Sequence, residues 1–334
     1  MEIAVFGSGG WGTALAILLH QNGHQVTLWS YLEEESRVLR QKRENPLLPG
    51  VSLPELVFTS DPACARGKHL IVLAPPSFAA RSTAETVAPY LEQDAVLVSV
   101  TKGIERGTSL RMSQILEEVT GRTVAVLSGP SHAEEVGRNI PTGCVAACRD
   151  LKTAQMVQDV FMNERFRVYS SPDVVGVELG AALKNVIALG AGICDGMGFG
   201  DNTKALLMTR GLTEIARLGM ALGARQDTFA GLAGVGDLIV TCTSMHSRNR
   251  RAGILIGKGE TPEQAMKEVG AVVEGYYATA SAMELAKKVG VEMPITEATY
   301  AVLYKGVSVQ QMQRSLMTRT RTTEVHAMED SGWN

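Results

Sequence analysis

The chain of 334 residues has few cysteines and no excess of positive charge. Its five cysteines form an odd set without the paired spacing of a metal site, which favours reduced thiols in a cytoplasmic protein. Lysine and arginine number 32 against 35 aspartates and glutamates, so the formal net charge is −3. That balance argues against general binding to nucleic acid or to an anionic membrane surface. Any anion must therefore be bound at a local site.

The sequence also lacks a basic leader and an uninterrupted apolar run. Its first residues, MEIAVFGSGG, have an acidic second residue and no positively charged segment, so we expect no signal peptide. The uncharged stretch at 5–19 contains four glycines, which is untypical of a membrane span. We expect a cytoplasmic protein without stable membrane insertion.

Short apolar runs alternate with helical patterns in the first half of the chain. The predicted strands lie at 3–6, 25–29, 69–74, 95–100, 123–128, 143–148 and 166–171. Amphipathic stretches such as 84–93 and 109–119 separate them. Continuous apolar strands between helices predict a parallel sheet covered on both faces. The expected fold of residues 1–172 is a doubly wound, Rossmann-type α/β domain.

The pattern changes after Pro172, where almost every predicted element is helical. Helices are expected at 174–193, 203–222, 249–257, 262–269, 274–289 and 308–316. One of them has a clear start, with Thr261 as N-cap and Pro262 at the first helical position. Residues 173–334 are therefore expected to form an all-α domain.

A glycine-rich turn follows the first predicted strand. The segment AVFGSGGWGTALA contains Gly7, Gly9 and Gly12 in the spacing G-x-G-x-x-G, and a helix opens directly after it. Such a turn lets the backbone approach a pyrophosphate, which the N–H groups at the helix start then bind. The context of strand, turn and helix favours dinucleotide binding over a tight turn without a ligand.

The end of the second strand is where dinucleotide-binding proteins distinguish NAD from NADP. The sequence there is LWSYLEEE, with Ser30 and Tyr31 in place of an acidic or basic residue. The glutamates at 33–35 would repel a 2′-phosphate if they faced it, or else form a solvated first helical turn. These residues leave the choice of cofactor open.

Polar residues follow two later strands, at the sheet edge where open α/β folds bind ligands. Lys102 comes after the fourth predicted strand, and Gly129 and Ser131 come after the fifth. A lysine at this edge suits an anion or the polarisation of a carbonyl, and the alternative is an exposed loop lysine. The neighbouring His132 is interpreted as a packing residue rather than a base.

The predicted helix at 174–193 contains the stretch LGAALKNVIALGAG, in which Lys184 is the only charged residue. Gly180 and Gly176 precede it by four and eight residues on one helical face, where they allow another element to approach. Burial of an amine favours its neutral form and brings its pKa towards the range of an acid–base group. The alternative is a lysine that extends to solvent from a packed helix.

Two later segments supply candidates for charge pairing and phosphate binding. Asp237, in LAGVGDLIVTCTS, is either the partner of Lys184 or a helix N-cap. In HSRNRRAG, a helix that starts near Ser247 would offer its N-terminus and Arg248 to a phosphate. A solvated basic turn is the alternative reading of that segment.

Together these motifs resemble the bacterial-type NAD(P)-dependent glycerol-3-phosphate dehydrogenase family. The matching stretches, in the family's order, are GSGGWGTALA, RENPLLPG, TKGIE, SGPSHAEEV, ELGAALKNVIALGAGICDG, GLAGVGDLIVTCTS, SRNRRAG and VVEG. The resemblance implies reversible conversion of dihydroxyacetone phosphate to sn-glycerol 3-phosphate with NAD(P)H, for phospholipid synthesis. It makes Lys184 the proton donor or acceptor at the substrate oxygen. We also expect a homodimer.

The resemblance further implies the residues that bind each ligand. At the substrate it places Lys102, Gly129, Ser131, Lys184, Asp237, Ser247, Arg248 and Asn249. At the cofactor, besides Gly7, Gly9 and Gly12 of the turn, it places Gly10, Trp11, Lys102, Ala133, Arg248, Val272 and Glu274. Ser30 and Tyr31 depart from the basic residue that the family usually has after LW. We therefore expect NADH to be used at least as well as NADPH.

Two other functions stay open at this point. A β-hydroxy-acid dehydrogenase would need a carboxylate site in place of the phosphate site. A comparison of glycerol 3-phosphate with short hydroxy acids as substrates would distinguish the two functions. A non-enzymatic dinucleotide sensor would use Lys184 and Asp237 only as structural residues, and would bind nucleotide without turnover of any substrate.

Overall fold

The computed structural model describes residues 1–321, 323 and 324. Within these residues the first part of the chain forms an eight-stranded sheet, one strand more than the sequence predicts. The strands are β1 (Glu2–Phe6), β2 (Gln25–Trp29), β3 (Val57–Thr59), β4 (Leu70–Leu73), β5 (Val96–Ser99), β6 (Val124–Ser128), β7 (Thr142–Ala147) and β8 (Phe166–Ser171). The strand missing from the prediction is β3, which is three residues long and begins with the exposed Val57.

Helices cover both faces of this sheet. Along β1, Ile3 and Val5 join one apolar core and Ala4 and Phe6 join the other, because successive side chains of a strand point to opposite faces. The helix predicted at 84–93 ends early, since Pro89 cannot continue an α-helix. The helices are α1 (Gly10–Gln21), α2 (Glu33–Lys42), α3 (Ala80–Val87), α4 (Met112–Thr120), α5 (Ala133–Gly137) and α6 (Leu151–Phe161).

The strand order across the sheet is β3-β2-β1-β4-β5-β6-β7-β8. Neighbouring strands from β3 to β6 are parallel, and the order reverses beside β1, which lies between β2 and β4. The predicted doubly wound, Rossmann-type arrangement is therefore confirmed. The prediction of a parallel sheet is wrong for one pair, because β7 runs antiparallel to β6. Only the five-residue helix α5 separates these two strands, and it turns the chain back along the sheet.

After β8 the described chain is helical. All the helices predicted beyond residue 172 are confirmed, and the structure adds α9, α10, α14 and a π-helical turn at Leu232–Gly236. The helices are α7 (Val174–Gly196), α8 (Asp201–Ala221), α9 (Gln226–Phe229), α10 (Asp237–Thr243), α11 (Arg248–Gly257), α12 (Pro262–Val269), α13 (Glu274–Val289), α14 (Pro294–Lys305) and α15 (Val309–Met317).

The central helix of this part is α7, which packs against α8, α10, α11 and α13. By length and composition it would suffice to cross a membrane, but 89% of its apolar window is buried within the protein. Because other helices surround it, α7 is apolar around its whole circumference.

Glycines set the distance between α7 and α11. Each helix carries two glycines four residues apart, Gly192 with Gly196 and Gly253 with Gly257. A Cβ on Gly253 would lie 2.1 Å from the backbone oxygen of Leu189, and one on Gly257 would lie 2.3 Å from a backbone oxygen of α7. The two helices thus touch backbone to backbone, which only glycine permits.

Gly253→Ala is expected to destabilise the protein, because the added methyl group would meet backbone that cannot rotate away. Overpacking of this kind costs about 1–3 kcal/mol, which would lower the midpoint of urea unfolding. Gly236→Ala is the matched control, since a Cβ on that helical residue would make only ordinary contacts of 3.6 Å or more. Equal midpoints for the two variants would contradict the packing described.

Candidate active site

The candidate active site lies at the carboxyl ends of the central strands, where the sheet loops meet α7 and α10. The loop after β5 contributes Lys102, and the loop after β6 contributes Gly129 and Ser131. The helices α7 and α10 contribute Lys184 and Asp237. Hydrogen bonds join these five residues into one cluster, so the structure brings together groups that lie far apart in the sequence.

Lys184 is buried, with 7% of its side chain exposed. Its Nζ donates to Oδ1 of Asp237 at 2.5 Å and to Oγ1 of Thr241 at 2.7 Å. The alternative of a lysine that extends to solvent is therefore wrong. The close approach depends on Gly180, where a Cβ would lie 2.4 Å from the backbone oxygen of Ala233 in the π-helical turn before α10.

Asp237 is fully buried and lies between two ammonium groups. While Oδ1 accepts from Lys184, Oδ2 accepts from Nζ of Lys102 at 2.9 Å. Lys102 also donates to the backbone oxygen of Gly129 at 2.9 Å, so it is not an exposed loop lysine. The N-cap alternative for Asp237 is wrong as well, because α10 begins at Asp237 and Gly236 takes the N-cap position.

Burial and charge determine the protonation of this cluster. Burial lowers the pKa of Lys184 to about 8, while the charge of Asp237 opposes that shift and the charge of Lys102 adds to it. Burial would raise the pKa of Asp237, but the two lysine charges and their hydrogen bonds outweigh it and hold that pKa below its ordinary value. One carboxylate thus faces two lysines, which leaves an excess of positive charge.

The loop after β6 forms the wall beside Lys102. Gly129 has φ of +154°, and a Cβ there would lie 2.9 Å from Cα of Cys144, so glycine is required at this position. Oγ of Ser131 donates to the backbone oxygen of Gly129 at 3.0 Å. The next residue is His132, whose pKa is lowered by burial and then by the charge of Lys184. Both effects favour its neutral form.

The start of α11 has the form that the sequence predicts. Ser247 is the N-cap, and its Oγ accepts from the backbone N–H of Arg250 at 3.2 Å. Arg250 also binds Asp195 through Nε at 2.8 Å, so it belongs to the packing of α11 against α7. Arg248 is exposed, and its side chain takes part in none of the hydrogen bonds and ion pairs found among the described residues. Its guanidinium is available to an anion.

Asn249 fixes the start of α11 next to Lys184. Its Nδ2 donates to Oδ1 of Asn185 at 2.9 Å, and Asn185 directly follows Lys184 in α7. Its Oδ1 accepts from the backbone N–H of Gly275 at 2.8 Å, which ties the start of α13 to the same place. One amide hydrogen of Asn249 stays available beside the helix N-terminus.

The glycine turn after β1 is shaped for a phosphate group. Gly7 has φ of +125°, and a Cβ on Gly12 would lie 2.0 Å from the backbone oxygen of Gly7. Gly9 differs, because a Cβ there would point into open space. Gly9 is also the N-cap of α1, whose first-turn N–H groups have no partner within the helix. The missing side chain at Gly9 leaves the approach to these donors free, as a pyrophosphate requires.

The remaining residues expected at the cofactor border this turn and the start of α13. A Cβ on Gly10 would lie 3.7 Å from Cβ of Ala133 and 2.5 Å from a backbone oxygen. The indole nitrogen of Trp11 is buried without a partner among the described residues. Oε2 of Glu274 accepts from Oγ of Ser77 at 2.8 Å, and the half-buried Val272 stands two residues before it.

The end of β2 corrects one inference from the sequence. Ser30 is 0% exposed, and its hydroxyl has no partner among the described residues. Its side chain therefore points into the core of the sheet and cannot meet a bound ribose. Tyr31 is 77% exposed, and Oε2 of Glu35 accepts from Oγ of Ser8 in the glycine turn at 3.4 Å. Tyr31 is thus the first exposed side chain after β2, and Glu35 contacts the glycine turn.

Three supporting residues escaped the sequence reasoning. Thr241 receives the second hydrogen bond of Lys184, and its spacing of four from Asp237 on a helix was an available signal. Nδ2 of Asn45 donates to the backbone oxygen of Ser8 at 2.8 Å and so braces the glycine turn. Ser77 follows β4 without any local signal, since only the packed fold brings it to Glu274.

The fold and the site together define a dinucleotide-dependent dehydrogenase of the Rossmann type. Models of the NAD-dependent glycerol-3-phosphate dehydrogenase match the chain twice, the N-terminus at residues 2–154 and the C-terminus at residues 173–314. The chain belongs to the NAD-dependent glycerol-3-phosphate dehydrogenase family.

Individual relatives are similar over the whole chain. The glycerol-3-phosphate dehydrogenase (NAD(P)+) of Moorella thermoacetica is 55% identical over 335 residues, which cover 99% of each chain. That of Pelotomaculum thermopropionicum is 54% identical and covers 98% of this chain and 95% of its own. The crystal structure of the glycerol-3-phosphate dehydrogenase from Coxiella burnetii superposes with a TM-score of 0.91 at 36% identity, over 95% of this chain and 99% of that one.

Proposed function

We propose that this chain interconverts dihydroxyacetone phosphate and sn-glycerol 3-phosphate by hydride transfer with NAD(P)H, and so supplies glycerol 3-phosphate for phospholipid synthesis. The observation that carries the proposal is the desolvated Lys184, paired with Asp237 and tied through Asn185 and Asn249 to the open start of α11. The lysine suits proton transfer, and a helix N-terminus suits a phosphate.

Proton transfer is assigned to Lys184. Bound NAD(P)H would supply a hydride to C2 of the substrate. As that carbon gains the hydride, its oxygen gains negative charge, and the ammonium of Lys184 donates a proton to it. Lys102 offers a second positive charge to the same oxygen, and Asp237 holds both ammonium groups in place. In the reverse direction neutral Lys184 accepts the proton of the hydroxyl group.

Phosphate binding is assigned to Ser247, Arg248 and Asn249 at the start of α11. The first-turn amides and the helix dipole favour a dianion, and the guanidinium of Arg248 offers two parallel hydrogen bonds. Gly129 and Ser131 line the substrate between this helix and Lys102. Binding energy from the unreactive phosphate then orients the small carbonyl end of the molecule.

Cofactor binding is assigned to the glycine turn and the residues around it. The pyrophosphate would rest on the amides beyond Gly9, where the added Cβ has open space. The full set is Gly7, Gly9, Gly10, Trp11, Gly12, Lys102, Ala133, Arg248, Val272 and Glu274. In this proposal residues 1–172 form the dinucleotide-binding domain, and residues 173–334 form the helical substrate domain, which also contributes Arg248, Val272 and Glu274 to the cofactor. The five free thiols support a cytoplasmic location, and a homodimer stays a prediction from the sequence.

Lys184→Ala is expected to lower kcat/KM for the reduction of dihydroxyacetone phosphate by ~10²–10⁴-fold, the usual contribution of a general acid. In the parent enzyme kcat/KM for reduction should fall as the pH rises through about 8, because neutral Lys184 has no proton to donate. The oxidation of glycerol 3-phosphate should instead rise through the same pH. Lys152→Ala, an exposed lysine of α6, should match the parent. A Lys184→Ala variant within a few-fold of the parent would exclude the assignment.

Arg248→Ala is expected to raise KM for dihydroxyacetone phosphate by roughly 10- to 100-fold, because a charge-assisted hydrogen bond to the phosphate contributes about 1.5–3 kcal/mol. The control is Arg251→Ala, an exposed arginine three residues further along α11. Steady-state kinetics with the phosphorylated substrate and with short hydroxy acids provide the measurement. Unchanged kinetics for Arg248→Ala, or better turnover of the hydroxy acids, would count against a phosphate site.

The cofactor preference is tested at Tyr31. The parent is expected to use NADH at least as well as NADPH, because the exposed Tyr31 is followed by three glutamates in the first turn of α2. Tyr31→Arg should shift the ratio of kcat/KM values towards NADPH by about tenfold, equivalent to about 1.4 kcal/mol. Leu151→Arg adds the same charge on α6 and should leave the ratio unchanged. A parent that prefers NADPH tenfold would show the expectation to be wrong.

A further inference from the structure

The loop between β5 and α4 is folded into a hairpin. The backbone N–H of Glu105 donates to the oxygen of Leu110 at 2.9 Å, and residues 104 and 111 form an antiparallel bridge. The hairpin, residues 102–111, thus carries Lys102 at its start and Arg106 at its tip. Arg106 and Lys102 are four residues apart within this hairpin.

Both ends of the hairpin are held by buried charges. Lys102 donates to Asp237 of α10 at 2.9 Å. At the other end Arg111 donates to the buried carboxylate of Glu178 in α7, which also accepts from Ser113. Within the α/β part the hairpin is also held by Arg81 of α3, which binds Glu105 at 2.8 Å, and by the hydrogen bond from Lys102 to Gly129. The hairpin thus joins the α/β part to α10 and α7.

The tip of the hairpin lies along α13. The guanidinium carbon of Arg106 stands 3.5 Å from the ring centre of Tyr277. Further along the same helix, Oγ of Ser109 donates to Glu284 at 3.1 Å and Nζ of Lys288 donates to a backbone oxygen of the hairpin at 3.4 Å. These three positions of α13 are spaced by seven and four residues, so they share one helical face.

The ring under Arg106 is itself fixed in position. Tyr277 packs edge-on against Tyr276 with ring centres 5.3 Å apart, and Tyr276 packs against Tyr304 at 4.6 Å. The hydroxyl of Tyr304 donates to the backbone oxygen of Tyr276 at 2.7 Å. The face of Tyr277 is therefore a rigid platform, three residues beyond Glu274 at the start of α13.

The charge of Arg106 also acts on Glu274, a residue of the candidate site. Burial raises the pKa of Glu274, while its hydrogen bond with Ser77 and then the charges of Arg248 and Arg106 lower it. Arg106 thus lies close enough to the start of α13 to act on the carboxyl group there, beside the arginine assigned to the phosphate.

We propose that Arg106 is a positioning residue for the reaction, because its stack on Tyr277 holds the hairpin, and with it Lys102, against Asp237. The proposal rests on the proposed function, in which Lys102 stabilises charge at the substrate oxygen. It differs from a direct role, in which the guanidinium would itself touch a bound anion. In the positioning role the ring of Tyr277 matters as much as the charge of Arg106.

A double-mutant cycle separates the two roles. Arg106→Ala and Tyr277→Leu should each lower kcat for dihydroxyacetone phosphate by roughly two- to five-fold, the range of an exposed cation–π contact. The double variant should show no further loss, because both substitutions remove one contact. KM for the cofactor should stay unchanged, and Arg106→Lys should recover part of kcat. Arg66→Ala is the matched control, since Arg66 stacks on Tyr90 at 5.2 Å within the α/β part.

Amide hydrogen exchange over residues 101–111 provides a readout that needs no turnover. Exchange should be faster in Arg106→Ala and Tyr277→Leu than in the parent and in Arg66→Ala. Full kcat in Tyr277→Leu, additive losses in the double variant, or an equal loss in Arg66→Ala would each overturn the proposal. If the parent fails to reduce dihydroxyacetone phosphate, the proposed function fails, whereas unchanged exchange in both variants refutes the positioning role by itself.

Discussion

One carboxylate shared by two ammonium groups is the interaction on which the site depends. Asp237 is fully buried, and it reaches Lys184 with one oxygen and Lys102 with the other. A buried cation without a partner would be costly, so this carboxylate stabilises the charged forms of both lysines in the site. Because two cations face one anion, the cluster keeps an excess of positive charge. That excess suits a substrate whose carbonyl oxygen becomes negative during reduction.

The glycines of α7 and α11 follow from the same requirement. Asp237 reaches Lys184 only because the turn before α10 packs on α7 at Gly180, where a Cβ would lie 2.4 Å from a backbone oxygen. Gly253 and Gly257 bring α11 equally close to α7, so the helix proposed to bind the phosphate packs directly on the helix that carries Lys184. A buried helix that must be approached from several sides cannot carry large side chains. Small residues around Lys184 are thus a condition of the site and not a composition bias.

Local signals made much of the fold predictable. Seven of the eight strands, the glycine turn and the start of α11 at Ser247 are encoded within a few residues, and each was found within about a residue of its expected place. The strand direction of β7 was not predictable, because buried parallel and antiparallel strands have the same apolar pattern. The contact between Lys102 and Asp237 joins residues 135 positions apart, and no local sequence pattern indicates such a pair. For Ser30 a signal existed, since residues 26, 28 and 30 alternate onto one face and Val26 and Leu28 belong to the core.

The sharing of Asp237 also links the protonation of Lys184 to the position of Lys102. Burial brings the pKa of Lys184 to about 8, so neutral pH favours the protonated form that the proposed reduction needs. Asp237 raises that pKa and Lys102 lowers it, so a shift of Lys102 away from the cluster would weaken the lowering contribution. A loop that carries Lys102 must therefore be held as firmly as α7 itself. The loop is held from both parts of the chain, by Arg81 of α3 at Glu105 and by α10 and α7 at Lys102 and Arg111. The proposed chemistry thus depends on contacts between the two parts.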